Sequence, residues 1–332
     1  MENKYNRAFP NLMKGKKVMY VHGFASSAKS GTVALLRALM PNAKVVARDV
    51  PVDPRQGMSM LRDMCSQERP DLIIGTSAGG MMSEMLYGSD RILINPAFQM
   101  GETMRKHDML GRMQFQNPRE DGQTEFIVTK ALVKLYGETT SECFGNADSE
   151  GEQERVWGMF GDEDPIVDTF GLFSLHYKNA VRFHGGHRLT DHIAIHYLIP
   201  LIRRIDDRQE GREKPILYIC IDSMRDSRGK PVSGMHKGFE SLLENYDIHF
   251  VCPAPTNCHS AISDAQLWIE DVISSPAHDR ILFANDTSLL YGDFIISSES
   301  QPGFMGTPLR LGSDEFKTWD DLITFFGRLG GG

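Results

Sequence analysis

The chain has 332 residues, of which 41% are hydrophobic and 24% charged, as in ordinary globular proteins. This length exceeds what one core usually holds and favours two domains. The net charge of −8 argues against a general nucleic-acid-binding protein. No apolar run reaches the roughly 20 residues needed to cross a bilayer, so we expect no membrane association. The five cysteines lack CxxC spacing, which is typical of reduced thiols in a cytoplasmic protein.

Charge is distributed unevenly along the chain. Residues 213–332 carry 9 Lys and Arg against 17 Asp and Glu, whereas residues 1–212 carry 27 of each. The change follows a polar, charge-dense stretch, Arg203 to Lys214, that ends one helical pattern and precedes a new strand. The sequence therefore predicts domains at 1–212 and 213–332.

Residues 1–212 alternate short apolar runs with helical patterns, which is typical of a parallel sheet flanked by helices. The predicted strands, in chain order, are Val18–Val21, Val45–Ala47, Asp71–Gly75, Arg91–Asn95, Val156–Phe160 and Ala180–Phe183. The predicted helices are Gly31–Met40, Met58–Cys65, Gly79–Tyr87 and Asp191–Arg204. Between them, residues 98–154 form a long insertion with helical pieces such as Phe126–Tyr136 and no clear strand, which we expect to cap the site.

A GxSxG motif, Gly75 to Gly79, lies between a predicted strand and a predicted helix. In a nucleophile elbow the serine adopts a strained backbone conformation, and glycines on either side allow the strand and helix to approach each other. The motif predicts Ser77 as a nucleophile exposed at the carboxyl edge of the sheet. A simple Gly/Ser turn is the alternative interpretation.

A nucleophilic serine needs a base, and the base needs an acid to orient it. In this architecture the acid and the histidine follow the serine in chain order. The turn Gly161-Asp162-Glu163-Asp164-Pro165 comes after a strand, and we predict Asp164 as the acid, with Asp162 as its competitor. His187 follows the last strand and two glycines, and we predict it as the base. We interpret His184, at the end of the strand, as a structural residue rather than as the base.

Backbone amides must also stabilise the oxyanion of a tetrahedral intermediate. Ala78, directly after the nucleophile, is one predicted donor. The loop after the first strand, Val21-His22-Gly23-Phe24-Ala25, supplies the second, and the amide of Phe24 is the predicted donor.

Two rival interpretations use overlapping residues. The segment Gly23 to Ser30 resembles a phosphate-binding P-loop, but Ala28 replaces the second glycine and its Cβ would obstruct the phosphate. Three histidines and an aspartate have spacings suited to zinc: His187, Asp191, His192 and His196. The same helix carries an apolar stripe that faces the core. We therefore interpret His187 as a catalytic residue and the other histidines as residues on the helix surface. We therefore predict no metal and no cofactor.

The first segment resembles a known family of enzymes. Residues 17–205 are similar to the small bacterial α/β-hydrolase esterases of the YqiA-like group. The matching features are Tyr20 to Ser27, Gly75 to Gly80, Asn95-Pro96-Ala97, Gly161-Asp162-Glu163 and the loop of His187. The resemblance implies an α/β-hydrolase domain that cleaves short acyl esters or thioesters, with Ser77 as nucleophile and His187 as base. The turn that carries the candidate acids is longer in this sequence than in the family pattern, so both Asp162 and Asp164 stay open as the catalytic acid.

Residues 213–332 predict a second, smaller α/β unit. Its predicted strands are Ile216–Ile221, Ile248–Cys252, Arg280–Ala284 and Asp293–Ile296, and its predicted helices are His236–Asn245 and Ser260–Ile273. The unit resembles a haloacid-dehalogenase-like (Rossmann-type) phosphatase of the 5′(3′)-deoxyribonucleotidase type, through Tyr246-Asp247-Ile248, Pro253-Ala254-Pro255 and Leu289 to Ile296.

The same resemblance implies that the phosphatase chemistry has been lost. Such enzymes need an Asp-x-Asp nucleophile motif, a hydroxyl, a lysine and an acidic pair for Mg²⁺. The matching positions hold Cys220 with Asp222, then Cys252, Thr287 and Ser297-Ser298. We therefore expect a catalytically inactive second domain.

The sequence as a whole predicts a serine hydrolase that acts on a small-molecule acyl ester or thioester through an acyl-enzyme. The partner is that substrate, with no nucleic acid and no membrane, and an oligomer is compatible with the sequence. Two alternatives stay open: a non-catalytic binding or regulatory protein, and a residual nucleotide phosphatase.

Overall fold

The structure, a computed structural model, describes residues 8–329 of the chain. The chain divides into two compact units, with the division between Ile202 and Arg203. This point is ten residues before the predicted boundary and falls inside a helix. Within residues 8–329 no helix is both long and apolar enough to cross a membrane.

Six parallel strands form the main sheet of the first unit, in the order β2-β1-β3-β4-β7-β8. The strands of this unit are β1 Lys17–Val21, β2 Lys44–Val46, β3 Leu72–Thr76, β4 Arg91–Ile94, β5 Gly111–Gln114, β6 Glu125–Val128, β7 Val156–Gly161 and β8 Ala180–Phe183. Most residues of the central strands are buried, as expected for a parallel sheet covered on both faces. The carboxyl ends of β3, β7 and β8 therefore lie at one edge of the sheet, where their following loops can meet.

Helices connect the strands of this sheet. They are α1 Gly31–Leu39, α2 Pro54–Glu68, α3 Ala78–Glu84, α4 Met100–Lys106, α5 Lys130–Thr140, α6 Glu152–Arg155, α7 Phe170–Ser174, α8 Asp191–Ile193 and α9 Ile199–Glu210. A π-helical turn, Ala194–Leu198, joins α8 to α9. Local sequence fixes several helix starts: Asp53 caps α2 by accepting from the amides of Arg55 and Gln56, and Pro54 occupies its first position.

The insertion at 98–154 differs from the prediction. Strands β5 and β6 pair as an antiparallel hairpin where no strand was expected. The predicted helix Phe126–Tyr136 is wrong in its first part, because Phe126 lies in β6. The helix begins only at Lys130, after Thr129 caps it by accepting from the amide of Leu132. The insertion is therefore a mixed helix and hairpin segment.

The second unit contains a five-stranded parallel sheet in the order β11-β10-β9-β12-β13. Its strands are β9 Ile216–Cys220, β10 Asp247–Cys252, β11 Ile281–Phe283, β12 Phe294–Ser297 and β13 Thr307–Arg310. Its helices are α10 Met235–Leu242, α11 His259–Ile273 and α12 Trp319–Arg328. Trp319 is fully buried and donates from its indole to the carbonyl of Ser223, which ties α12 to the loop after β9. Strand β13 and helix α12 were not predicted.

Candidate active site

Ser77 occupies a sharp turn between β3 and α3. Its φ of 55° and ψ of −123° lie in a region that L-residues rarely adopt. A Cβ at Gly75 would lie 2.4 Å from the hydroxyl of Ser83, and one at Gly79 would lie 2.2 Å from the carbonyl of Val21. Both glycines are therefore required by close packing of β3, α3 and β1, which is the physical basis of the elbow.

The loops after β7 and β8 bring an imidazole and a carboxylate to this serine. His187 Nε2 lies 3.1 Å from Ser77 Oγ, and His187 Nδ1 lies 2.6 Å from Asp164 Oδ2. The three predicted residues thus form one hydrogen-bonded series. The side chain of Asp164 is only 1% exposed and that of His187 is 18% exposed, so the pair is largely shielded from water.

The second oxygen of Asp164 holds the turn in shape. Its Oδ1 accepts from the amides of Ile166 and Val167, at 2.8 and 3.1 Å. Burial alone raises the pKa of Asp164, but the hydrogen bonds from His187 and from the two amides outweigh it, so the pKa lies below its usual value. Asp164 is consequently ionised wherever the imidazole can act as a base.

Asp162, the competing acid, faces a different histidine. Its carboxylate lies 3.2 Å from His184 Nδ1 and accepts from the amide of Gly185 at 3.0 Å. Burial raises the pKa of Asp162, but the hydrogen bonds from Gly185 and His184 outweigh it, so the pKa lies below its usual value. The His184 side chain is 74% exposed, and it lies at the strand end as a surface residue.

The two predicted oxyanion donors flank the serine. The loop after β1 passes so close to the elbow that a Cβ at Gly23 would lie 3.2 Å from Ser77 Cβ. Phe24 follows this glycine, and Ala78 is the first residue of α3. Neither amide donates to another of the residues that the structure describes. The role of these two amides as oxyanion donors therefore stays a prediction.

His22 stabilises the loop after β1, a role that the sequence did not predict. Its Nδ1–H donates to the carbonyl of Gly23 at 2.8 Å, and its Nε2 accepts from the amide of Val50 at 2.9 Å. Burial lowers the pKa of His22. The ring is therefore neutral, with both nitrogens used to hold the loop. The only sequence signal was its position directly before Gly23.

The insertion contributes residues 116–120 to the same site, which the sequence did not predict in detail. The amide of Gln116 donates to the carbonyl of Ala25, and Ser27 Oγ donates to the carbonyl of Pro118, both at 2.8 Å. A cleft of ≈970 Å³ opens beside Ser77 and His187, and Gln116 is part of its wall. The insertion thereby fixes the loop after β1 and shapes one side of the cleft.

The carboxyl ends of β9 and β12 carry the predicted remnant of the phosphatase site. Asp222 Oδ2 accepts from the hydroxyls of Ser297 and Ser298 at 2.9 and 2.5 Å, and from the Ser298 amide at 2.7 Å. The hydroxyl of Thr287 donates to Gln301 Oε1 at 2.5 Å, and Gln301 Nε2 donates to Ser297 Oγ at 3.1 Å. These polar groups therefore satisfy one another.

The cysteine at the expected nucleophile position is equally constrained. Burial, and secondly the charge of Asp222, raises the pKa of Cys220 to about 12. Its thiol is protonated at neutral pH and is therefore a poor nucleophile.

The parallel sheet, the serine elbow and the loops that follow β7 and β8 define an α/β hydrolase. Residues 17–193 match the model of the uncharacterised protein family UPF0227. The chain belongs to this family, and the predicted YqiA-like resemblance is confirmed.

A curated relative matches part of the chain. A putative 5′(3′)-deoxyribonucleotidase from Vibrio phage KVP40 is 28% identical over 159 residues, covering 39% of this chain and 94% of the relative. The second predicted resemblance is thereby confirmed. The predicted fold class, an α/β-hydrolase domain followed by a Rossmann-type α/β domain, is also confirmed.

Solved structures with low sequence identity were also found. Est1E from Butyrivibrio proteoclasticus is 14% identical, with a TM-score of 0.37, covering 60% of this chain and 89% of its own. A monoglyceride lipase from Saccharomyces cerevisiae is 11% identical, with a TM-score of 0.40, covering 60% of this chain and 89% of its own.

Proposed function

We propose that the first unit is a serine esterase-type hydrolase that cleaves carboxylic esters or thioesters through an acyl-enzyme. The observation that carries this proposal is the hydrogen-bonded series of Ser77, His187 and Asp164, with contacts of 3.1 and 2.6 Å. A nucleophile, a base and an orienting acid at these distances are what acyl transfer requires.

In the acylation step, His187 Nε2 takes the proton of Ser77 Oγ as the oxygen attacks the carbonyl carbon of the substrate. The imidazolium that forms is stabilised by Asp164, which holds Nδ1–H toward its carboxylate. The amides of Phe24 and Ala78 donate to the oxyanion. The imidazolium then protonates the leaving alcohol or thiol, and the acyl group stays on Ser77.

Deacylation repeats these steps with water as the nucleophile. His187 removes a proton from water, the hydroxide attacks the acyl carbonyl, and the carboxylic acid product leaves as Ser77 recovers its proton. Losing either oxyanion donor typically costs about 10²–10³-fold in turnover.

The cleft supports a small-molecule substrate. Its volume of ≈970 Å³ suits a small molecule, and its wall mixes apolar and polar side chains, among them Leu35, Ile166 and Thr32.

Replacing the nucleophile tests the proposal. Ser77→Ala should abolish hydrolysis of p-nitrophenyl acetate and butyrate with no change in the circular dichroism spectrum. Ser174→Ala, at an exposed serine of α7, is the matched control and should keep full turnover. Wild-type rates in Ser77→Ala would refute the assignment. A fluorophosphonate probe separates this enzyme from a non-catalytic binding protein, because only an activated serine is labelled.

We further propose that residues 213–332 form a haloacid-dehalogenase-like domain without phosphatase activity. Asp222 is engaged by serines where the phosphatase pattern has a carboxylate pair, and Cys220 is a protonated, buried thiol. The runner-up function is a residual nucleotidase. Incubation of the full chain with deoxynucleotides and Mg²⁺ should release no phosphate above the level of Asp222→Ala. Release that depends on both Cys220 and Asp222 would contradict inactivity.

A further inference from the structure

Asn95 joins three elements at the carboxyl edge of the first sheet. It directly follows β4 and is 3% exposed. Its Nδ2 donates to the carbonyls of Gly186 and His187, at 3.1 and 3.2 Å, and its Oδ1 accepts from the amide of Gly161 at 2.8 Å. One buried side chain thus connects the ends of β4 and β7 with the loop that carries the imidazole.

These bonds constrain the backbone of the histidine loop. No other donor among residues 8–329 bonds to the carbonyl of Gly186 or of His187. The loop packs directly on the end of β7, since a Cβ at Gly161 would lie 2.4 Å from the carbonyl of Gly185. The position of the His187 backbone is therefore set by Asn95 on one side and by contact with β7 on the other.

The backbone of Asn95 is itself adapted to this place. Its φ of 43° lies in the left-handed region, where Asn and Asp are the tolerated non-glycine residues. The conformation turns the chain out of β4 and leaves the amide side chain facing the loops after β7 and β8. Neither the elbow motif nor the order of the predicted acid and base assigns a task to this residue.

We propose that Asn95 is a positioning residue for His187, holding its backbone so that Nε2 stays within reach of Ser77 Oγ. The inference rests on the proposed function for its catalytic consequence. A displacement of about 1 Å between reacting groups can cost on the order of 100-fold in rate. Loss of the two donations should therefore impair catalysis far more than substrate binding.

Asn179 provides a matched control. It is also 3% exposed and lies in the first unit, and its Nδ2 donates to the carbonyls of Gln153 and Val156, at 2.9 and 3.2 Å. It precedes β8, at the opposite edge of the sheet from His187. Asn179→Ala thus removes two comparable buried donations without touching the histidine loop.

The first experiment measures p-nitrophenyl acetate hydrolysis by Asn95→Ala, Asn95→Asp and Asn179→Ala in the full chain. Asn95→Asp keeps the shape, the left-handed preference and the acceptor for Gly161, but sets a carboxylate against two carbonyl oxygens. Both Asn95 variants should lose about 10- to 100-fold in kcat with KM changed less than about threefold, while Asn179→Ala stays within about twofold. Equal losses in kcat at positions 95 and 179 would overturn the proposal.

The second experiment needs no substrate. The short bond between His187 and Asp164 should give a far-downfield proton NMR signal for His187 Nδ1–H, identified by its loss in His187→Ala. The signal should weaken or disappear in both Asn95→Ala and Asn95→Asp and persist in Asn179→Ala. An unchanged signal and kcat in both Asn95 variants would refute positioning while leaving the esterase proposal intact. An inactive wild type with the expected signal changes would refute the esterase proposal alone.

Discussion

The most informative single substitution is Asp164→Asn, because it changes the chemistry of the proposed acid with little change in its shape. Asparagine can keep the Oδ1 acceptor that holds the amides of Ile166 and Val167. Its NH₂ group, however, would replace the oxygen that now faces His187 Nδ1 at 2.6 Å. Two N–H donors cannot face each other, so the imidazole would move its proton to Nε2.

The size of the effect follows from this change of tautomer. With a proton on Nε2, His187 cannot accept the proton of Ser77, although the two atoms still lie about 3 Å apart. In serine proteases the same substitution lowers turnover about 10⁴-fold. We expect a loss of about 10³–10⁴-fold in kcat, equivalent to roughly 4–5.5 kcal/mol of transition-state stabilisation.

Asp162→Asn is the matched control, since it alters the competing acid on the same loop. Asp162 contacts the exposed His184, so its replacement should change kcat by less than about threefold. Both variants can be assayed with p-nitrophenyl butyrate, with thermal unfolding to confirm folding. A large loss in Asp162→Asn together with a small one in Asp164→Asn would refute the geometric reasoning.

Two further predictions concern stability. Arg91→Met should lower the free energy of unfolding in urea by about 3–5 kcal/mol, because it leaves the charged Glu152 buried. Arg112→Met, in an exposed pair, is the control and should lower it by under about 1 kcal/mol. Equal losses of stability in the two variants would contradict this reasoning. Because burial lowers the pKa of His22, the unfolded chain binds the proton first, and stability should fall as pH drops below about 6.5. His22→Gln should flatten this fall by at most about 1.4 kcal/mol per pH unit, and parallel profiles would exclude the effect.

The main sheet and the elbow were predictable because strong local constraints act there. Strands such as Leu72–Thr76 begin with a continuous apolar run, and a Cβ at Gly75 or Gly79 would lie within 2.5 Å of backbone or side-chain atoms. A side chain at either position would clash with its neighbours, so the glycines that the elbow needs are visible as a pattern in the sequence. The order of the predicted acid and base then follows from the order of the strands.

The elements that escaped prediction lack such constraints. Three of the four residues of β5 are exposed, so this strand carries no apolar run, and the apolar residues of β6, Phe126 to Val128, fit a helical pattern as well as a strand. Strand β13 contains Pro308, which normally argues against a strand, but it lies at the edge of its sheet. These strands are defined by pairing with a neighbouring strand, β6 for β5 and β12 for β13, which the apolar pattern of one segment does not record. Asn95 was similarly hidden, since its task becomes visible only when three loops are brought together.

In the second unit, different residues stabilise the strands and the strand ends at which phosphatase residues were expected. Buried apolar residues such as Ile219 and Ile296 stabilise the strands, whereas the replaced positions lie just beyond them. A pair of carboxylates at 297 and 298 would stand beside Asp222 and require a cation to offset their repulsion. Two serines instead donate hydrogen bonds to Asp222, so the strand ends are satisfied without a metal. If this domain lacks phosphatase activity, as proposed, the serines at 297 and 298 avoid the electrostatic cost of a carboxylate pair, and the buried apolar residues stabilise the strands without it.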